Sequence, residues 1–169
     1  MNKFLSLAAA LVLLSACGST GNDGGMGSMD GTMNTPNGGS SLQGGMGVAN
    51  PGTQEDMVVN VGDRVFFNFD QSNLTQEARS TLDRQASWLR KYPNVSVTIE
   101  GHCDERGTRE YNLALGERRA MAVKNYLVAT GVGEDRLTTV SYGKERPAVL
   151  GGNEAAWAQN RRSVTVVMQ

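Results

Sequence analysis

Between Cys17 and Asp56 the chain carries 12 glycines in 40 residues, with no aromatic residue and scarcely a bulky aliphatic side chain. Such a stretch cannot bury enough apolar surface to offset the entropy of ordering it, so it is expected to be a disordered tether and to confine the hydrophobic core to the residues C-terminal to it. At ~5–6 Å times the square root of its length its ends would lie roughly 35 Å apart, and at ~3.3–3.6 Å per residue it would reach about 130–145 Å when stretched. Its four methionines are irregularly spaced and read as filler, not as a copper site. The 113 residues from Met57 to Gln169 are enough for one domain with a real core. They hold 15 Lys plus Arg against 13 Asp plus Glu, so the formal charge of −1 for the whole chain comes from the four acids of the Gly-rich stretch. No dense basic run is present, which argues against nucleic acid as a partner.

Residues 1–17 read MNKFLSLAAALVLLSAC, with Lys3 ahead of an apolar run and small residues before a cysteine. The run is too short for the roughly 20 residues that span a bilayer, and it has the form of an export signal. Leu14-Ser15-Ala16-Cys17 resembles the lipobox of bacterial lipoproteins, which implies cleavage before Cys17 and acylation of that cysteine. More than one acyl chain, at ~0.8 kcal/mol per buried methylene, gives stable membrane anchoring. Gly18 stands where lipoproteins retained in the inner membrane often have Asp, so the resemblance implies the outer membrane. With Cys17 so engaged, Cys103 is left alone, and no disulfide framework or four-ligand zinc site is expected.

In the remainder, Arg64–Phe69 is rich in β-formers and reads as a first strand. Thr75 is a plausible helix cap; Ala78, Leu82, Ala86 and Leu89 then recur at helical spacing as far as Arg90, and Pro93 ends that helix. Val95, Val97 and Ile99 alternate with polar residues in a half-buried strand ending at Gly101. A polar loop, His102–Tyr111, leads to a second amphipathic helix from about Asn112 to Thr130, stopped by Gly131. Leu137–Tyr142 reads as a third strand, Asn153–Gln159 as a short helix around Trp157, and Val164, Val166 and Met168 alternate in a last strand. The order βαβαβαβ, with two long helices and four short strands, predicts an α/β sandwich with a small mixed sheet and its helices packed on one face.

The segment GHCDERGTREYNLALGERRAMAV, residues 101–123, carries the most local information. Asp104 lies just after a strand, while Asn112, Leu115 and Arg119 at i, i+3 and i+7 share one helical face. A carboxylate and a guanidinium beside a helix N-terminus suit a zwitterion, the acid taking an ammonium and the planar fork a carboxylate. The same spacing also suits a structural Asp–Arg ion pair that orders the loop, and spacing does not separate the two.

Together with FNFD at 67–70, IEGHCDERGTREYNLALGERRA, TVSYGKERPAVLG and EAAWAQNRRSV, this segment resembles the OmpA-like peptidoglycan-binding domain family over about Val65–Val167. Within it the likeness is to the lipoprotein branch that works with the Tol system. The resemblance implies non-covalent binding of peptidoglycan through meso-diaminopimelate of the stem peptide, with Asp70, Asp104, Asn112, Leu115 and Arg119 around the ligand. It also implies that Arg106 and Thr108 line the pocket. It further implies an outer-membrane lipoprotein, anchored through Cys17, that tethers the membrane to the wall. The implied protein partner is the periplasmic β-propeller protein of the Tol system. No cofactor, metal or catalytic residue is expected. The competing functions are anchorage of a secretion or motility assembly and, further off, peptidoglycan remodelling, for which Glu100, Asp104 and Glu105 find no second catalytic element. His102 is expected to hold the loop by hydrogen bonding, Cys103 to be an unpaired thiol, and Arg161-Arg162 to pin the last strand beside the pocket.

Overall fold

The computed structural model describes residues 49–168, and the expected export signal, Cys17 and most of the Gly-rich stretch lie outside the described residues. Four strands, β1 (Arg64–Phe66), β2 (Val97–His102), β3 (Leu137–Gly143) and β4 (Arg162–Val167), form one sheet in the order β1-β4-β2-β3. β4 is antiparallel to both neighbours, whereas β2 and β3 are parallel, so the sheet is mixed. A parallel pair needs a long crossover. Here that crossover contains α3 (Arg109–Ala129), which packs beside α2 (Gln76–Lys91) on one face of the sheet. A short α4 (Glu154–Asn160) precedes β4.

The helical spacing read from the sequence is the buried face of α2: Ala78, Leu82, Ala86 and Leu89 are all in the core, and Thr75 caps the helix by accepting from Ala78 N at 3.2 Å. Val97 and Ile99 of β2 are fully buried, with Thr98 and Glu100 on the other side. Gly131 adopts φ 94°, a left-handed conformation that closes α3 while Val132 N donates to Leu127 O. At Gly101 and Gly116 β2 and α3 meet backbone to backbone: a Cβ on Gly101 would fall inside the van der Waals envelope of the Gly116 carbonyl.

Several elements differ from the sequence reading. β1 is three residues long, and Phe67 continues the pairing with one bond, its N–H donating to Arg161 O. α3 begins at Arg109, not Asn112, because Thr108 caps it by accepting from Tyr111 N at 3.2 Å. Its faces are less segregated than an amphipathic pattern suggests: Asn112, Gly116 and Arg119 are buried, while Tyr111, Leu113, Met121 and Val128 are exposed. In β4 Arg162, Ser163 and Thr165 are buried, the last two bonded to Glu100 O and to Gln85 Oε1, and the alternating Val164 and Val166 are half-buried on the face opposite these two.

Residues 49–56, assigned by composition to the tether, are instead part of the folded body. α1 (Gln54–Asp56) runs into a π-helical turn, Met57–Val61, that inserts the fully buried Met57 into the core. Asp56 accepts from Trp88 Nε1 at 2.8 Å, from Asn60 Nδ2 and from Gly52 N. The Gln54 amide occupies the β4 edge beyond β1, accepting from Val167 N at 2.7 Å and donating to Thr165 O. Local composition is polar here; the anchoring comes from single side chains reaching distant partners.

Candidate functional site

Three segments converge at the end of β1 and β2: the turn after Phe67, the loop after His102, and the first three turns of α3. Asp70 is the one non-glycine residue with positive φ among the described residues, at 55°. Asp tolerates this left-handed conformation better than most side chains, and it directs the chain sharply toward α2. Arg119, fully buried on α3, holds both loops: Nε donates to Gln71 O at 2.9 Å, Nη2 to Asn68 O at 3.2 Å and Nη1 to His102 O at 2.8 Å.

Between these segments lies a cavity of about 170 Å³ walled by Phe69, Asp70, Cys103, Asp104, Arg106, Gly107, Tyr111, Asn112, Leu115 and Arg119. Six of the seven expected site residues are therefore brought together. Thr108 is not on this wall; its hydroxyl is engaged as the α3 cap. Asn112, also expected there, turns its amide nitrogen to Arg106 O at 2.8 Å and Thr108 O at 3.0 Å, fixing the loop. Leu115 supplies apolar floor.

The charged residues differ in what they have left to offer. Asp104 accepts from Arg106 Nε and N, both at 3.1 Å, from Arg106 Nη2 at 2.6 Å and from Arg161 Nη1 at 3.4 Å. Burial pushes its carboxyl upward, but the hydrogen bonds and charge of Arg106 and the hydrogen bond from Arg161 outweigh it and hold Asp104 below the usual value. Glu154 contacts the same two arginines, Arg161 at 2.7 Å and Arg106 at 3.8 Å, completing a net-neutral group of two acids and two bases. The Arg106 guanidinium also lies over the Phe69 and Trp157 rings, 4.2 and 4.0 Å from their centroids. The expected role of Asp104 as a free carboxylate for an ammonium does not fit this arrangement, since both its oxygens are already occupied.

Asp70 and Arg119 are different. Among the described residues Asp70 has no cationic side chain within 4 Å, and Arg119 has no carboxylate within that distance. Burial depresses the Arg119 pKa, and the charges of Asp104 and Asp70 offset it only in part because neither is in contact with the guanidinium. The Arg119 fork is also not open for the bidentate clasp that spacing suggested, because all three nitrogens donate to main-chain carbonyls. Each η nitrogen still carries a second hydrogen. The cavity thus presents one uncompensated positive charge in its wall and one uncompensated negative charge at its mouth.

Phe69, Tyr111 and Gly107 complete the wall and were not singled out by the sequence; only a three-dimensional neighbour reveals them. Tyr111, in the first turn of α3, donates to Asp70 Oδ1 at 2.5 Å. Cys103 is buried and free, with Sγ donating to Asn112 O, and burial raises its thiol pKa. His102 does not hold the loop through its ring. The loop is fixed by its carbonyl, while Nε2 approaches Glu100 at 3.4 Å and Nδ1 has no hydrogen-bond partner among the described residues. Arg161 pins the strand end as expected, Nε donating to Phe67 O. Among the described residues no group of three or more His, Cys, Asp or Glu is placed to hold a metal ion.

A fold of this topology with its cavity at the β2–α3 junction defines a class. A model described as the OmpA family matches residues 66–161. The peptidoglycan-associated lipoprotein of Rhizobium meliloti (strain 1021) is 57% identical over 134 residues, 79% of this chain and 76% of the relative. That of Haemophilus influenzae is 43% identical over 167 residues, 97% of this chain and 98% of the relative. The crystal structure of the peptidoglycan-associated lipoprotein from Burkholderia pseudomallei superposes with a TM-score of 0.61 at 44% identity, covering 63% of this chain and 90% of that one. The chain belongs to the OmpA family and, within it, to the peptidoglycan-associated lipoproteins.

Proposed function

We propose that this protein is an outer-membrane lipoprotein that binds peptidoglycan non-covalently through the amino-acid end of meso-diaminopimelate in the stem peptide. The observation that carries the reading is the pair of uncompensated, opposite charges on one cavity, Asp70 at the mouth and Arg119 in the wall. A zwitterion neutralises both at once, its ammonium meeting Asp70 and its carboxylate the remaining Arg119 N–H groups. A simple anion or cation would leave one charge unpaired in a partly desolvated site. The names of the relatives support the same ligand polymer. The neutral Asp104–Arg106–Arg161–Glu154 group shapes the loop, and Asn112 and Leu115 complete the wall.

In this reading Cys17 carries the acyl chains, and residues 18–48 link them to the folded body that begins near Ala49. The link is then shorter than composition alone implies, reaching at most about 105–115 Å at ~3.3–3.6 Å per residue. Two independent anchors, lipid and wall, hold the layers together because one chain spans both. The protein is a binder and not an enzyme, and the Tol-system β-propeller protein is its proposed periplasmic partner, in envelope integrity and cell division.

The test is co-sedimentation of the lipid-free chain 18–169 with purified sacculi. The wild type is expected to pellet, to be released by free meso-diaminopimelate and to liberate no soluble fragments, while Asp70→Asn stays in the supernatant with its fold intact by circular dichroism. Failure of the wild type to pellet would overturn the peptidoglycan reading, and liberated muropeptides would overturn the non-enzymatic one. Retention of the Tol propeller on the immobilised chain tests the partner separately.

A further inference from the structure

We propose that Tyr111 is a positioning residue that sets the specificity of the cavity for a ligand bearing an ammonium group, by fixing the Asp70 carboxylate across the mouth. The inference rests on the proposed zwitterion site and adds the device that makes it selective. Asp70 is exposed and stands on a turn, where a free side chain would sample several rotamers and offer its charge in no fixed direction. Three observations show it held. Its backbone is in the left-handed region at φ 55°. The turn around it is clamped from below by Arg119, which donates to Asn68 O and Gln71 O on either side. From across the mouth, the Tyr111 hydroxyl donates to Oδ1 at 2.5 Å.

This last bond takes up one carboxylate oxygen with a neutral donor. The negative charge is therefore oriented but not cancelled, and Oδ2 has no partner among the described residues. A cationic side chain in place of Tyr111 would have neutralised the site. The geometry also gives Thr108 a role: by accepting from Tyr111 N it fixes the first turn of α3, and hence where the phenol can reach. Thr108 thus acts on the ligand through two intermediaries and does not touch the cavity.

A ligand with an ammonium group meets a pre-aimed carboxylate and loses little on ordering it, whereas one carrying only a carboxylate gains nothing from Asp70. Removing the hydroxyl should therefore lower affinity for the first ligand and leave the second unchanged. A defect in folding or cavity shape would weaken both alike.

The experiment uses calorimetric titration of the lipid-free chain 18–169, wild type and Tyr111→Phe, with two tripeptides. One is N-acetyl-L-Ala-γ-D-Glu-meso-diaminopimelate; the other is the same N-acetylated peptide lacking the free amino group of the last residue. Tyr111→Phe is expected to bind the amino-bearing peptide about tenfold more weakly, the size of one hydrogen bond to a charged group. Its affinity for the deaminated peptide should match that of the wild type. In the double variant Tyr111→Phe/Asp70→Asn the loss should not exceed that of Asp70→Asn alone, because the hydroxyl acts only through that carboxylate. The bond itself has a ligand-free readout: it raises the Tyr111 phenol above its ordinary value, and Asp70→Asn should bring the titration back toward ~10. Equal weakening of both peptides, or no change in either, overturns the proposal while the function stands. A wild type that binds neither peptide overturns the function and this inference with it.

Discussion

Replacing Arg119 separates a residue that builds the site from one that only touches the ligand. Its guanidinium is fully buried and donates to three main-chain carbonyls, Asn68, Gln71 and His102, drawn from the two loops that frame the cavity. Arg119→Met keeps much of the side-chain volume and removes the buried charge with its desolvation cost, but takes a donor from all three carbonyls, of which Asn68 O keeps one from Gln71 N. Each hydrogen bond from a charged group contributes ~1.5–3 kcal/mol, and because the three share one cation their joint loss is about 3–5 kcal/mol, not the sum. With a urea dependence of about 1.5 kcal/mol/M for a domain of this size, the unfolding midpoint should fall by about 2–3 M. Arg119→Lys retains the charge on a single nitrogen, which cannot span carbonyls on two loops, so it should fall nearly as far. Asp70→Asn, at an exposed position on the same cavity, should leave the midpoint within about 0.3 M of the wild type, the usual range for a surface substitution, while abolishing sacculus binding. Urea unfolding followed by tryptophan fluorescence measures all three. If Arg119→Met unfolds with the wild type and loses only binding, Arg119 is a ligand contact and does not clamp the two loops.

Gly101→Ala should cost about 3 kcal/mol, since the new methyl meets the Gly116 carbonyl of α3 and the helix must shift. Gly131→Ala, in open space at φ 94°, should cost only about 1–2 kcal/mol in the same urea assay, and equal costs would refute the close approach. Trp88→Phe removes the donor to Asp56 Oδ2; it should destabilise by about 1–3 kcal/mol and speed proteolysis within residues 49–62, and an unchanged cleavage rate would show that the segment is held otherwise. Burial, then the charges of Arg162 and Arg146, lower the His102 pKa from 6.5 to about 4, so the folded ring stays neutral where the unfolded one is protonated. The stability this represents is present above pH 6.5 and is lost as pH falls toward 4. His102 is the chain's one histidine, so the slope of melting temperature between pH 6.5 and about 5, above the range where carboxylates such as Asp104 titrate, should vanish in His102→Asn, and a slope persisting there would place its origin elsewhere.

What the sequence disclosed depended on how each residue is held. Ala78, Leu82, Ala86 and Leu89 were legible because burial along a helix repeats with the backbone, and the same holds for Val97 and Ile99 in β2. Asn112, Leu115 and Arg119 were legible as one face for the same reason, and all three are buried there. The first eight described residues were not, because Gln54 and Asp56 are anchored by Val167, Thr165 and Trp88, and no local pattern encodes a partner so distant in the chain. The inner side of β4 was hidden differently. Ser163 and Thr165 look like solvent positions until Glu100 O and Gln85 supply the hydrogen bonds that permit their burial.

Charge raises a sharper limit, because residue type and spacing can locate a charged group but cannot say whether its charge is already cancelled. Asp104 and Arg119 suggested one pair, either a ligand clasp or a structural bridge. In the structure they are not partners. Asp104 is neutralised by Arg106 and Arg161, the latter 57 residues away along the chain, and Arg119 is left with carbonyls alone. In the proposed function the ligand-facing charges are therefore Arg119 on α3 and Asp70 on the turn after β1, whose opposition no sequence window contains. The same reasoning explains why the site needs the Asp104 group at all. Two arginines beside the cavity without acids of their own would repel the ammonium that the proposed function assigns to Asp70, whereas Asp104 and Glu154 offset their charge. The proposed zwitterion site thus depends as much on charges that are silenced as on the two that are left to a ligand.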